Sequence, residues 1–296
     1  TPHPGVTTGM FDDILVPVDR NSAASAVLYH AGEIAHWADA TVRLLHVADT
    51  TRDSVTVTES DVVDALERAG EDIVTEAGKT LDTLDVDYVT DVVQGSPAET
   101  IVEYAGRFEY DLVVMPTHGR EGLSRYLLGS VTEKVVRLSA VPVLTARMRE
   151  DEALTFPFER LLLPTDGSEG ARRATDYGLD LAAAMDASVH VLSVVEDAAL
   201  GPDIRSTVSA EAMERHARDA VEEVADAAAE RGLDAATHVE HGSPDDGILD
   251  AVGAHSVDGI VMGTTGRDAV DRILLGSVAE KTVRSAPVPV VTVGGE

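Results

Sequence analysis

At 296 residues, 44% of them apolar and none of them cysteine, the chain is long enough to bury two ordinary cores and excludes disulfides, thiolate nucleophiles and cysteine metal centres. Its 53 acidic residues against 23 basic ones leave a formal net charge of −30, which argues against free nucleic acid as a partner, since that demands a basic face. No apolar run approaches the ~18 residues of a membrane span, so a cytoplasmic protein without a membrane partner is expected.

Residues 1–9, TPHPGVTTG, precede Met10 and read as an appended remnant outside the fold. From there short apolar runs alternate with amphipathic stretches. The pattern predicts a strand at 12–18, a helix at 22–39, a strand at 41–48 and a helix at about 59–83. A strand at 86–93, a helix at 97–108, a strand at 111–116, a glycine loop, a helix at 130–139 and a strand at 141–146 follow. Runs without polar alternation suit parallel strands buried on both faces, so the class is α/β.

The series then repeats. DILVPVDRN at 13–21 aligns with RLLLPTDGS at 160–168, QGSPAET at 94–100 with HGSPDDG at 241–247, and LLGSVTEK at 127–134 with LLGSVAEK at 274–281, always 147 residues apart. Chance does not supply this, so two copies of one domain are expected: residues 10–146, a linker at 147–158 (RMREDEALTFPF), and residues 159–296.

Some motifs have an ordinary structural explanation. GSPAE at 95–99 reads as a cap at Ser96, a first-turn Pro97 and a capping-box Glu99. SVTE at 130–133 and SVAE at 277–280 read as further capping boxes with Ser130 and Ser277 as caps. Their placement suggests more. Asp19 and Asp166 each end a first strand just beyond a proline, and each glycine loop leaves the carboxyl end of a fourth strand. Ligands of open parallel sheets sit beyond such ends where the strand order reverses, and loop amides with a helix N-terminus favour an anion there.

The spacing Gly263-x2-Gly266-x9-Gly276-Ser277, with the openings ILVPVD and LLLPTD, the second strand LLHV and the closing VPV, resembles the ATP-binding members of the universal stress protein (UspA-type) family. The resemblance implies two Rossmann-like domains of the adenine nucleotide α-hydrolase-like kind. Each would hold a five-stranded parallel sheet of order 3-2-1-4-5 with helices on both faces. It implies adenine near the strand-one aspartate and the end of strand two, ribose and phosphates on the glycine loop, and Mg2+ or Mn2+ with the ATP. It also implies an intrachain pseudo-dimer through the fifth strands, and a homodimer is compatible with it.

Carried over to the second copy, the opening strand supplies Pro164, Thr165 and Asp166 and the second strand Val194. The loop supplies Met262, Gly263, Thr265, Gly266 and Arg267, and the helix start Gly276, Ser277 and Val278. The first copy supplies Pro17, Asp19 and Val47, then His118, Gly119 and Arg120, then Gly129, Ser130, Val131 and Thr132. It departs at Pro116, which stands where the second copy has Gly263; proline fixes φ and lacks an N–H, so the second copy is expected to be the better site. Ala279 and Thr265 stand where the family commonly has a hydroxyl residue and a histidine.

The function expected is a stress-response regulator that binds ATP or another adenine nucleotide. One alternative is a scaffold of the same fold that binds none; another is a slow ATPase or autophosphorylating switch, although no catalytic base is evident. The dispersed acidic residues, with Lys79, Lys134 and Lys281 the only lysines, read as adaptation to a salt-rich cytoplasm such as a haloarchaeon's, where at ~1 M salt the Debye length is about 3 Å. His46 reads as a core or rim residue, and the ten histidines show no metal-ligand spacing, so no protein-bound metal is expected.

Overall fold

A computed structural model of the chain describes residues 9–20, 26–49, 59–117, 128–147, 154–196, 205–265 and 275–295. It divides into two units, Thr1–Phe156 and Pro157–Glu296. In the first, β1 (Asp13–Pro17), α1 (Ala26–Ala38), β2 (Thr41–Asp49), α2 (Glu59–Asp82) and β3 (Tyr88–Gly95) are followed by α3 (Pro97–Arg107), β4 (Leu112–Pro116), α4 (Ser130–Leu138) and β5 (Val143–Ala146). The strands lie in the order β3-β2-β1-β4-β5 with parallel pairing throughout. The second unit repeats this with β6 (Arg160–Pro164), α5 (Glu169–Met185), β7 (Ser188–Val195), α6 (Arg205–Glu230), β8 (Ala235–His241), α7 (Pro244–His255), β9 (Gly259–Gly263), α8 (Ser277–Ser285) and β10 (Val290–Val293). Its order is β8-β7-β6-β9-β10, again parallel, so the α/β class and the order 3-2-1-4-5 hold in both copies.

Central strands are aliphatic because they are covered twice. Helix α1 packs on α2 and α3 on α4, and right-handed crossovers put these pairs on opposite faces of the sheet. Ile14, Leu15, Leu44, Leu45, Leu161 and Leu162 are wholly buried between such layers, each worth about 1.5–3 kcal/mol. At the amino edge both units start the central strand in the same way. One carboxylate oxygen of Asp111 accepts from the N–H groups of Asp12 and Asp13 (2.7 and 2.9 Å), and Asp258 does so for Glu159 and Arg160 (3.1 and 2.9 Å).

Two local expectations are corrected. The N-caps of α4 and α8 are Gly129 and Gly276, not Ser130 and Ser277, because both glycines are still extended (φ −61°, ψ 136° and 141°); the serines are already helical and exposed. Ser96 does occupy the cap position of α3, with Pro97 in the first turn, but its side chain makes no capping hydrogen bond. Of the residues read as linker, Phe156 sets its ring edge-on against His30 and Trp37 (both 5.6 Å), and Phe158 is buried beside Gly259. No helix among the described residues is long and apolar enough to cross a membrane.

Candidate functional site

The strand order reverses between β6 and β9, and there the two strands part. Their register holds only for Leu161↔Gly259 and Leu162↔Ile260, whereas β6 stays paired with β7 through Pro164↔Leu192. The cause is written in the chain. Thr165 N–H donates to Leu192 O (2.8 Å) on the β7 side, so alternation turns Pro164 toward β9, and proline has no donor to offer. Pro17 does the same in the first unit: Val18 N–H reaches Leu45 O (2.9 Å), and β1–β4 pairing stops at Leu15↔Val113.

Beyond the parting, Asp166 forms one lip. Its Oδ1 accepts from Ser168 N–H (2.9 Å), and Ser168 in turn caps α5 by accepting from Ala171 N–H (3.2 Å). Gly167 sits at φ +75°, and the imidazole of His216 on α6 donates to the carbonyl of Asp166 (3.2 Å). The other lip is Gly263–Thr265. A Cβ on Gly263 would lie 2.8 Å from the Gly170 carbonyl oxygen, and one on Gly170 would lie 2.6 Å from that of Thr265, so the start of α5 and the end of β9 touch backbone to backbone. Gly263 is therefore required by packing inside the protein. The matching positions in the first copy are Ala23 and Pro116.

Helix α8 is hung from this lip. Gly276 N–H donates to Thr264 O (2.8 Å), and the next hydrogen bond inward runs from Glu280 N–H to Gly276 O (2.9 Å). The amides of Ser277, Val278 and Ala279 thus open the helix with no side-chain cap, beside the exposed Ser277 hydroxyl. The first unit builds the same tether from Gly129 N–H to Thr117 O (2.9 Å), with Glu133 N–H on Gly129 O (2.8 Å). Such a helix start can hold an anion through backbone amides and its dipole.

Family comparison fits this construction: the model of the universal stress protein family matches residues 10–147 and again 157–294. The chain belongs to the universal stress protein family. A universal stress protein of Mycolicibacterium smegmatis is 27% identical over 95% of this chain and 96% of its own length. One from Methanocaldococcus jannaschii is 31% identical over 51% of this chain and 89% of its own. A solved universal stress protein of Archaeoglobus fulgidus shares the fold, with a TM-score of 0.73 at 23% identity over 95% of this chain and 98% of that one.

Within this universal stress protein the sequence-read positions separate. Pro164, Thr165, Asp166, Gly263, Thr265, Gly276, Ser277 and Val278 gather at the carboxyl ends of β6 and β9, while Met262 is buried within β9. Val194, near the end of β7, abuts Gly247 of α7. In the first domain Pro17 ends β1 and Asp19 follows it, Val47 lies near the end of β2, and Gly129 caps α4, which Ser130 and Val131 begin. Thr132 turns inward: it is buried and donates to Pro116 O (2.9 Å), where the second domain has a buried Ala279. His46 donates from Nδ1 to Val18 O (2.9 Å), at the rim. Gly266, Arg267, His118, Gly119 and Arg120 lie outside the described residues.

One group escaped the sequence reading. His190 on β7, His238 on β8 and His255 at the end of α7 stack with ring centroids 4.2–5.3 Å apart, and His190 Nδ1 lies 3.0 Å from His238 Nε2. Burial first, then the neighbouring imidazoles, pushes the His190 and His238 pKa values down. The expectation of no metal-ligating histidines rested on spacing along the chain; pairing of β7 with β8 brings His190 near His238, 48 positions on, and the end of α7 adds His255, 17 further.

Proposed function

We propose that this universal stress protein is a stress-response regulator that binds an adenine nucleotide, ATP in the first place, at the carboxyl ends of β6 and β9. The observation that carries the reading is the first turn of α8, which makes no side-chain capping hydrogen bond and is held against Thr264 by Gly276 at the point where β6 and β9 part. The Ser277, Val278 and Ala279 amides would take phosphate oxygens, joined by the Ser277 hydroxyl. Thr165, Asp166 and Val194 would face the nucleoside, and a divalent Mg2+ or Mn2+ would offset phosphate charge near so acidic a surface. Gly266 and Arg267 belong to the same proposal.

The second domain is proposed as the stronger site. Both helix starts share one geometry, so the asymmetry rests on the exchange of Gly263 for Pro116, together with Asp19, His118, Gly119 and Arg120 in the weaker copy. The test is titration of nucleotide-stripped protein with ATP at molar KCl. Gly276→Val, whose side chain would press on the Thr264 carbonyl, should weaken binding far more than Gly129→Val. Equal losses would remove the asymmetry, and absence of binding by the unaltered chain would leave the scaffold reading. Product formation from bound ATP would instead favour the slow hydrolase. The composition further supports a haloarchaeal, salt-adapted setting.

A further inference from the structure

We propose that His190, His238 and His255 form a binding site for a divalent transition-metal ion of the zinc class, distinct from the nucleotide crevice. Each imidazole offers a nitrogen, and the three lie within 4.8 Å of one another, one pair at 3.0 Å. Zinc–imidazole bonds of about 2.0–2.1 Å set ligand nitrogens about 3.4 Å apart in a tetrahedron, so one pair is already near this spacing. The rings lie stacked within 28° of parallel, so metal binding would turn them about their side-chain torsions to bring one nitrogen of each to the ion. Three imidazoles leave one tetrahedral position for water. Nitrogen donors suit Zn2+, Co2+, Ni2+ or Cu2+ and not Mg2+ or Ca2+.

The position is remote from the crevice. His190 is the third residue of β7, and beside it Arg160 opens β6, so the cluster lies toward the amino ends of the central strands. The charges around it are mixed: Arg160 disfavours a cation, Asp258 approaches Arg160 at 3.8 Å, and Glu240 favours positive charge at His238.

The repeat supplies an internal comparison. The first-domain counterparts of the three histidines are Arg43, Asp91 and Phe108. There Arg43 Nη1 pairs with Asp91 at 2.8 Å, Tyr104 also donates to Asp91, and Phe108 packs on Tyr104 at 4.6 Å. An ion pair and aromatic packing thus fill the same place, so the fold itself does not require imidazoles there.

The experiment uses the full chain, freed of metal by chelator and of nucleotide, and titrated with Zn2+ in molar KCl and excess Mg2+ to occupy surface carboxylates. The expected result is one Zn2+ per chain, with visible Co2+ bands of a four-coordinate nitrogen site. His238→Ala and His255→Ala should each weaken binding at least about tenfold, the scale on which loss of even an outer-shell partner acts. His216→Ala should leave it unchanged. His238→Asn, which keeps a polar side chain of similar size, carries the test if the alanine variant unfolds. Zn2+ binding that Mg2+ abolishes, or that survives His238→Asn and His255→Ala unchanged, overturns the proposal. ATP binding is measured separately, so either reading fails alone.

Discussion

Among the described glycines of the second domain, Gly170 and Gly263 are those whose added Cβ would meet backbone closer than 3.0 Å. A methyl group on Gly263 meets the Gly170 carbonyl at 2.8 Å, where no flexible side chain can yield. Gly263→Ala should therefore cost about 1–3 kcal/mol, read from urea unfolding. Gly253 of α7 is the control: a methyl group there would have nothing within 4 Å, and Gly253→Ala should stabilise by about 0.5–1 kcal/mol. An equal response from both would contradict the packing account. At this scale the sequence was only partly legible. It marked Gly263 and Gly276 as special but did not show that the first is needed by α5 and the second as a cap. SVAE has the letters of a capping box, and the extended backbone of Gly276 moves the cap one residue earlier. The three histidines carried no local signal at all.

Among the elements, strands and helices were legible because short aliphatic runs and a uniform repeat both point to them. The strand-ending prolines were visible too, but their effect, the early parting of β1 from β4 and of β6 from β9, needed the pairing register. Helices α7 and α8 are joined by Lys281, whose Nζ lies 3.1 Å from Asp245 Oδ2. Burial would raise the Asp245 carboxyl, but hydrogen bonds from Ser243 and Lys281 outweigh it and hold the pKa below 3.8. A depressed folded-state pKa contributes stability above the ordinary value and loses it as pH falls through the depressed one. Lys281→Met should cost about 0.5 kcal/mol near neutrality, as part-exposed pairs do. The gap between variant and parent in chemical unfolding should close as pH falls below 3.8.

For the molecule as a whole, a net charge of −30 makes self-repulsion a standing cost of the folded state. Exposed pairs such as Arg173–Glu169 (2.9 Å) and Arg218–Glu214 (2.9 Å) offset little of it. Screening should therefore stabilise the fold: the unfolding temperature should rise steadily between about 0.1 M and 2 M KCl, as the Debye length shrinks from about 10 Å to below 3 Å. A flat response would remove the salt-adapted reading.

The backbone contact between α5 and β9 also bears on how the two halves diverged. One side of it is Gly170 and the other Gly263, and the first domain differs at both, with Ala23 and Pro116. Adding a side chain at either position obstructs the approach that the remaining glycine serves. The pair is thus epistatic: the cost of a second substitution depends on whether the first has already pushed the segments apart. Duplicated domains that began alike would therefore change these two positions together more readily than one at a time.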